Sequence, residues 1–152
     1  MLTSILIERS LEFCMRAIGK TREEIISGLA LENRETHSWF RYGLAKYLCA
    51  CINELGEGMI AAYVHGSTAS DTAGIASDID LIFIVNGEDE YLFRILKSLD
   101  LHLVDSYRKL VGARANFVNK LLDVKITSDQ GRKDSMGNSP IRIWEASLEP
   151  TA

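Results

Sequence analysis

The chain is poor in the residues that make irregular or cross-linked proteins. Only two of its 152 residues are proline, Pro140 and Pro150, both near the C-terminus, which argues against a proline-rich linker or a loop-dominated fold. Three cysteines, Cys14, Cys49 and Cys51, form neither a disulfide framework nor a zinc-type spacing, so buried, reduced thiols are expected. Long apolar runs are missing too: stretches such as residues 81–85 are strand-sized and far short of a membrane span. The opening MLTSILIERSLEF is broken by Glu8, Arg9 and Glu12. It lacks the basic start and unbroken centre of a secretion signal, and a cytoplasmic location is expected. Positive charge is in short supply as well. With 17 basic and 21 acidic side chains the net charge is −4, which does not invite nucleic acid.

What is present is ordinary globular material, 47% hydrophobic and 25% charged, enough for one domain with a core of its own. Its charge is uneven. Residues 105–134 hold seven basic against four acidic side chains, a solvated face by default and a surface for something anionic otherwise.

Periodicity divides the chain in two. Residues 2–18 carry apolar side chains at helical spacing and stop at Gly19. Thr21, with Glu24 three residues on, reads as a capping box. A longer helix is expected over residues 37–55, with Trp39, Phe40 and Tyr47 as core, His37 at the surface or core edge, and GEG at 56–58 as its end. The period then changes to that of strands. MIAAYV and IDLIFIV are short, apolar on both faces and rich in strand formers, as central strands are. Residues 67–73 between them suit a short helix. Residues 89–111 show a second amphipathic stripe that includes His102, LLDVKIT alternates as a half-buried strand, SDQG reads as a turn, and IRIWEAS, with Trp144, as a last strand. The expected architecture is α/β (α+β), a single domain over residues 1–152. An N-terminal helical portion, 1–57, packs on a small mixed sheet in a core spanning 58–147.

The chemistry concentrates in YVHGSTASDTAGIASDIDLIFIV. Asp78 and Asp80 lie two apart at the mouth of a greasy strand, so their carboxylates point to one face. Such a pair resists joint ionisation unless a cation lies between them. All-oxygen anionic sites suit Mg²⁺ or Mn²⁺. Gly66 lets a ligand approach the backbone closely, and Ser67 stands where a helix start can hold phosphate. A third carboxylate would complete a two-metal site. Asp123 in LLDVKIT is the first candidate, with Lys125 on its face available for phosphate; Asp100 in SLDLHLVDS is the competitor. His65, ahead of the Gly-Ser, either packs or contacts a phosphate or base.

The HGS motif, ten residues and then DIDL together resemble the DNA polymerase beta-type nucleotidyltransferase superfamily, above all its small, minimal members. The likeness is strongest over residues 59–85 and extends more weakly to 113–127, where LLDVKI resembles the family's third-carboxylate strand. It implies a palm-type sheet and transfer of a nucleoside monophosphate from a nucleoside triphosphate, ATP among them, to a hydroxyl on a small molecule or protein. Gly66, Ser67 and Lys125 would hold the triphosphate. Asp78, Asp80 and Asp123 would be the catalytic carboxylates and would bind two Mg²⁺. Many small members carry Arg-Gly where this chain has Ser70 and Asp71, and Arg114, Lys120 or Arg132 are candidates to replace that charge. Small members often act as antitoxins that nucleotidylate a HEPN-type toxin, which makes such a toxin a candidate partner. No membrane and no long nucleic acid is expected, and an exposed helical face suits a homodimer. The alternatives are a non-catalytic nucleotide- or partner-binding module that keeps the fold, and a nucleic-acid transferase that needs a partner subunit.

Overall fold

The computed structural model describes residues 2–54, 59–69, 72–86, 90–128 and 141–145. Three helices come first: α1 (Leu2–Ile18), α2 (Arg22–Ala30) and α3 (Arg34–Glu54). The capping box is formed as expected. Thr21 Oγ1 accepts from the Glu24 backbone N–H at 3.2 Å, and Glu24 Oε1 accepts from that of Thr21 at 3.0 Å, so two otherwise unpaired donors are satisfied at the start of α2. Helix α3 begins three residues earlier than its apolar stripe suggests, because Asn33 Oδ1 caps it by accepting from the Thr36 N–H at 3.0 Å. Helices α1 and α3 approach closely where Gly43 meets the Phe13 ring; a Cβ on Gly43 would lie 2.6 Å from Phe13 Cδ1.

The sheet follows. Strand β1 (Met59–His65) runs into a one-turn helix, α4 (Gly66–Ala69), and then to β2 (Ile79–Val85). Helix α5 (Glu90–Val111) and a short 3₁₀ turn (Ala113–Ala115) lead to β3 (Leu122–Thr127), and β4 (Ile141–Glu145) is the last described element. The sheet order is β3-β2-β1-β4, which makes β1 and β2 central, as their two-sided apolar patterns require. Pairing of β1 with β2 and with β4 is antiparallel, whereas β2 and β3 are parallel. Parallel strands need a long crossover, and α5 provides it. The expected GEG stop and SDQG turn, and the side chain of Trp144, lie outside the described residues.

One apolar cluster joins the two halves of the chain. Leu6, Leu11, Phe40, Leu44 and Leu48 from the helices meet Ala62, Val64, Leu81, Phe83 and Leu122 from the sheet. Helix α5 adds Leu92, Leu96, Leu103, Val104 and Tyr107 along a single stripe. Each such side chain contributes about 1.5–3 kcal/mol on burial, which is why the helical third cannot be peeled from the sheet cheaply. A smaller cluster of Ala61, Tyr63, Ile82 and Ile84 lies on the opposite sheet face.

Two expectations need correction. Trp39 is 36% exposed, because it sits at the rim of an aromatic group with Phe13 and Tyr42, each at 6.1 Å between ring centroids. His37 is not at a surface but fully buried. Its Nε2 lies 2.6 Å from the carbonyl oxygen of Leu31, and its Nδ1 lies 2.7 Å from Arg41 Nη1. A carbonyl only accepts and a guanidinium only donates, so the imidazole is neutral with its proton on Nε2. Burial, reinforced by the Arg41 charge, pushes its pKa down to about 4. Cys14 and Cys49 are buried free thiols, each pushed up to about 12, chiefly by burial, in keeping with inert packing.

His37 ties stability to pH. The unfolded chain protonates this ring below its ordinary value of 6.5, and the folded chain only near 4. Stability is therefore full above pH 6.5 and falls as pH drops toward 4, by about 3 kcal/mol from this group. Urea unfolding across that range is expected to show a loss that His37→Gln flattens; parallel curves for the two proteins would refute it.

Candidate active site

The site is assembled where three strands end together. Strand β1 closes at His65, the chain turns at Gly66, and α4 begins. Gly66 has φ +70°, a conformation that L side chains rarely adopt. A Cβ there would also overlap a carboxylate oxygen of Asp80, so the turn can pass only as glycine. The pairing register aligns His65 with Asp80 and Asp80 with Asp123. A histidine and two carboxylates thus form a row across β1, β2 and β3 on one sheet face. The start of β2 is fixed by the Ile79 N–H, which donates to the carbonyl of Leu121 at 2.7 Å. Asp78 precedes it by one residue.

The electrostatics follow from that packing. The Asp80 carboxyl is raised above the usual carboxylate range, mainly by burial and further by a hydrogen bond with Asp123 and the charges of Asp123 and Asp78; His65 opposes the shift. Two carboxylates set side by side repel each other unless a cation lies between them. Asp78 is raised too, first by burial and then by Asp123, with Lys120 and Arg41 pulling the other way. Among the described residues no three His, Cys, Asp or Glu side chains are grouped so as to hold one ion. Asp80 and Asp123 touch, while Asp78 influences them through its charge.

The two candidates for third carboxylate stand on different elements. Asp100 lies within α5, not on a strand. Its Oδ1 accepts from the backbone N–H groups of Leu121 (2.9 Å) and Leu122 (3.0 Å), so it anchors the start of β3. Burial raises its pKa and those two donors lower it. Asp123, one residue into β3, is the carboxylate that meets Asp80. Lys120 Nζ lies 3.6 Å from Asp123 Oδ1, both side chains about half exposed, a pair worth at most about 1 kcal/mol. Lys125 is exposed and paired in register with Ile82, a step along the strand from the acids. Lys120 is therefore the cation beside the carboxylates. Of the sequence candidates, Gly66, Asp80 and Asp123 are brought together, Ser67 follows the turn, and Lys125 stands off.

A cavity of about 520 Å³ borders Asp123, lined by residues of α5 and of β3 and its approach. Phe93, Leu96, Leu101 and Val124 wall it, and Lys97 and Lys120 stand at its polar side.

Sequence reasoning missed the residues that hold the segment before β2. The Ala73 N–H donates to Ser38 Oγ at 3.1 Å, the Ile75 N–H to Glu32 Oε1 at 3.2 Å, and Arg41 Nε to the carbonyl oxygen of Ser77 at 3.0 Å. All three acceptors or donors come from the helical third. A signal for Arg41 was legible in retrospect: it falls on the stripe of His37, Leu44 and Leu48, where a charge is out of place.

The site thus joins a Gly-Ser turn after one strand of a mixed sheet to facing aspartates on the next two. In comparison with protein families, the nucleotidyltransferase domain model matches residues 48–132, more than half of the chain, and the protein belongs to that family. No curated protein and no solved structure matches it. No helix among the described residues is long and apolar enough to cross a membrane.

Gly66→Ala is expected to cost about 1–3 kcal/mol, through backbone strain and displacement of Asp80. Denaturant unfolding measures it. A change below about 0.5 kcal/mol, the scale of an ordinary surface substitution, would show that the close approach is not needed.

Proposed function

We propose that the protein transfers a nucleoside monophosphate from a nucleoside triphosphate to an acceptor hydroxyl and releases pyrophosphate. The observation that carries the reading is the contact of Asp80 with Asp123 beside the Gly66–Ser67 turn, in a chain of the nucleotidyltransferase domain family. Their donor chemistry fits Mg²⁺, or Mn²⁺ in its place: oxygen-only, anionic, and mutually repelling until a cation joins them. Asp78, Asp80 and Asp123 would hold two such ions. Bound Mg²⁺ would supply positive charge to the triphosphate and to the leaving pyrophosphate.

The remaining roles belong to the chain. Gly66 gives the triphosphate room against the backbone, and Ser67 offers a hydroxyl and an N–H at the start of α4. In the transfer, the acceptor oxygen forms a bond to the α-phosphorus while the bond from that phosphorus to the bridging oxygen breaks. The acceptor proton passes to the Asp123 carboxylate, and pyrophosphate leaves with the bond's electron pair. Lys120 beside the acids, and Lys125 farther along β3, would be sources of charge for phosphate. The cavity beside Asp123 supports an acceptor, small molecule or protein side chain, whose hydroxyl sits next to an apolar group, since Phe93, Leu96 and Leu101 would cover that group.

Calorimetric titration with ATP, CTP, GTP and UTP, with and without Mg²⁺, tests the reading. Metal-dependent binding of at least one nucleotide is expected, lost in Asp78→Asn/Asp80→Asn. If the wild type bound none of the four, the protein would instead be a partner-binding module that keeps the fold. Asp123→Asn is expected to abolish metal binding, whereas Asp100→Asn, which keeps an oxygen for Leu121 and Leu122, should retain it; the reverse pattern would overturn the assignment. Leu101 is 70% exposed, so Leu101→Glu should fold normally, bind nucleotide as the wild type does and transfer poorly to an apolar acceptor. Unchanged transfer would move the acceptor elsewhere.

A further inference from the structure

Arg41 is a charged side chain with no exposed surface, 0% by relative area. Among the described residues no carboxylate pairs with it. A buried cation of this kind is costly unless its donors are matched; Nε and Nη1 find acceptors, whereas Nη2 finds none among the described residues. Nη1 donates to Nδ1 of neutral His37 at 2.7 Å, and Nε to the carbonyl oxygen of Ser77 at 3.0 Å. The guanidinium carbon lies 5.8 Å from the centroid of the Tyr107 ring. Ser77 is the residue before Asp78, so the bond from Nε fixes the chain directly ahead of a candidate metal ligand.

The rest of the segment is fastened to the same helix and its approach. Ser38 Oγ, less than a turn before Arg41 on α3, accepts from Ala73 at 3.1 Å, and Glu32 Oε1 accepts from Ile75 at 3.2 Å. Within the segment, the Gly74 N–H donates to Ser77 Oγ at 2.9 Å and the Ser77 N–H to the Gly74 carbonyl at 3.1 Å. Residues 72–78 thus have an internal turn and three ties to the helical third. None of Glu32, Ser38 and Arg41 lies within the family match over 48–132.

We infer that Arg41 is a positioning residue of the active site: with Ser38 and Glu32 it holds the segment before β2, and so fixes where Asp78 stands at the head of that strand. The inference rests on the metal-dependent reading above for its consequence, and on the hydrogen bonds alone for its geometry. Lysine does not replace arginine here, because one ammonium cannot span the Ser77 carbonyl and the His37 ring as the planar fork does.

The test compares wild type with Arg41→Lys, Arg41→Met and Ser38→Ala in three measurements: urea unfolding, Mn²⁺ affinity from the electron paramagnetic resonance of free Mn²⁺, and amide hydrogen exchange over residues 72–79. In the folded variants, Arg41→Lys and Arg41→Met are expected to weaken Mn²⁺ binding about tenfold or more, the scale on which partners behind a metal ligand act, and to speed exchange in the segment. Ser38→Ala leaves the buried cation in place and should speed exchange at Ala73 while weakening Mn²⁺ to a lesser degree. It keeps the question decidable should the Arg41 variants not fold. A purely structural Arg41 would lower stability and leave the Mn²⁺ affinity of the folded molecules within twofold, and that result overturns the proposal. Should the wild type itself hold no Mn²⁺, the metal reading falls, and exchange decides alone: faster exchange over residues 72–79 in Arg41→Lys or Ser38→Ala sustains the clamp, and unchanged exchange removes it.

Discussion

The contact between Asp80 and Asp123 governs the rest of the molecule. Two like-charged side chains meet because β2 and β3 run parallel in a fixed register, with both residues near the entry of their strands. Everything around them serves to impose or relieve that meeting. Asp100 grips the start of β3 through Leu121 and Leu122, and Ile79 ties the start of β2 to the same turn. Gly66 removes the Cβ that would push Asp80 away. The register is expensive to change, since a one-residue slip would turn Asp80 into the sheet face that Ile79, Leu81 and Phe83 pack against the helices.

The relief is electrostatic, and the molecule provides it from several sides. His65 and Asp80 face each other across β1 and β2; Lys120 stands beside Asp123; Arg41 works from beneath Asp78. These groups differ in what they can do. Lys120 is half exposed, so solvent and salt screen it. Arg41 is buried and fixed, so its field is neither screened nor able to move. A mobile lysine suits a ligand that comes and goes, and a rigid buried arginine suits a geometry that must persist between turnovers.

Much of this was readable from the residues. The strand IDLIFIV ends where its pattern says, the capping box at Thr21 is formed, and the alternation of LLDVKIT put Asp123 on a face where a third carboxylate could stand. What the sequence did not reveal has a common cause. Which of Asp100 and Asp123 meets Asp80 depends on strand register, a long-range property that local periodicity does not encode. Lys125 shares the face of Asp123, but distance along the strand, not facing, decides reach, and Lys120 is nearer. His37 and Arg41 escaped because a helical stripe identifies which residues are inside only when they are apolar; a polar pair bonded to each other and to carbonyl groups outside the helix looks, from sequence alone, like surface.

The parallel join of β2 and β3 has a kinetic consequence. Antiparallel β1 and β2 are neighbours in the chain, but Asp80 meets Asp123 only after the whole of α5 has formed and crossed over. Contacts of such sequence separation repay their closure entropy late. In a chain emerging during synthesis Asp80 is made well before Asp123, so the repulsion that the finished site must bear arises only when β3 joins the sheet.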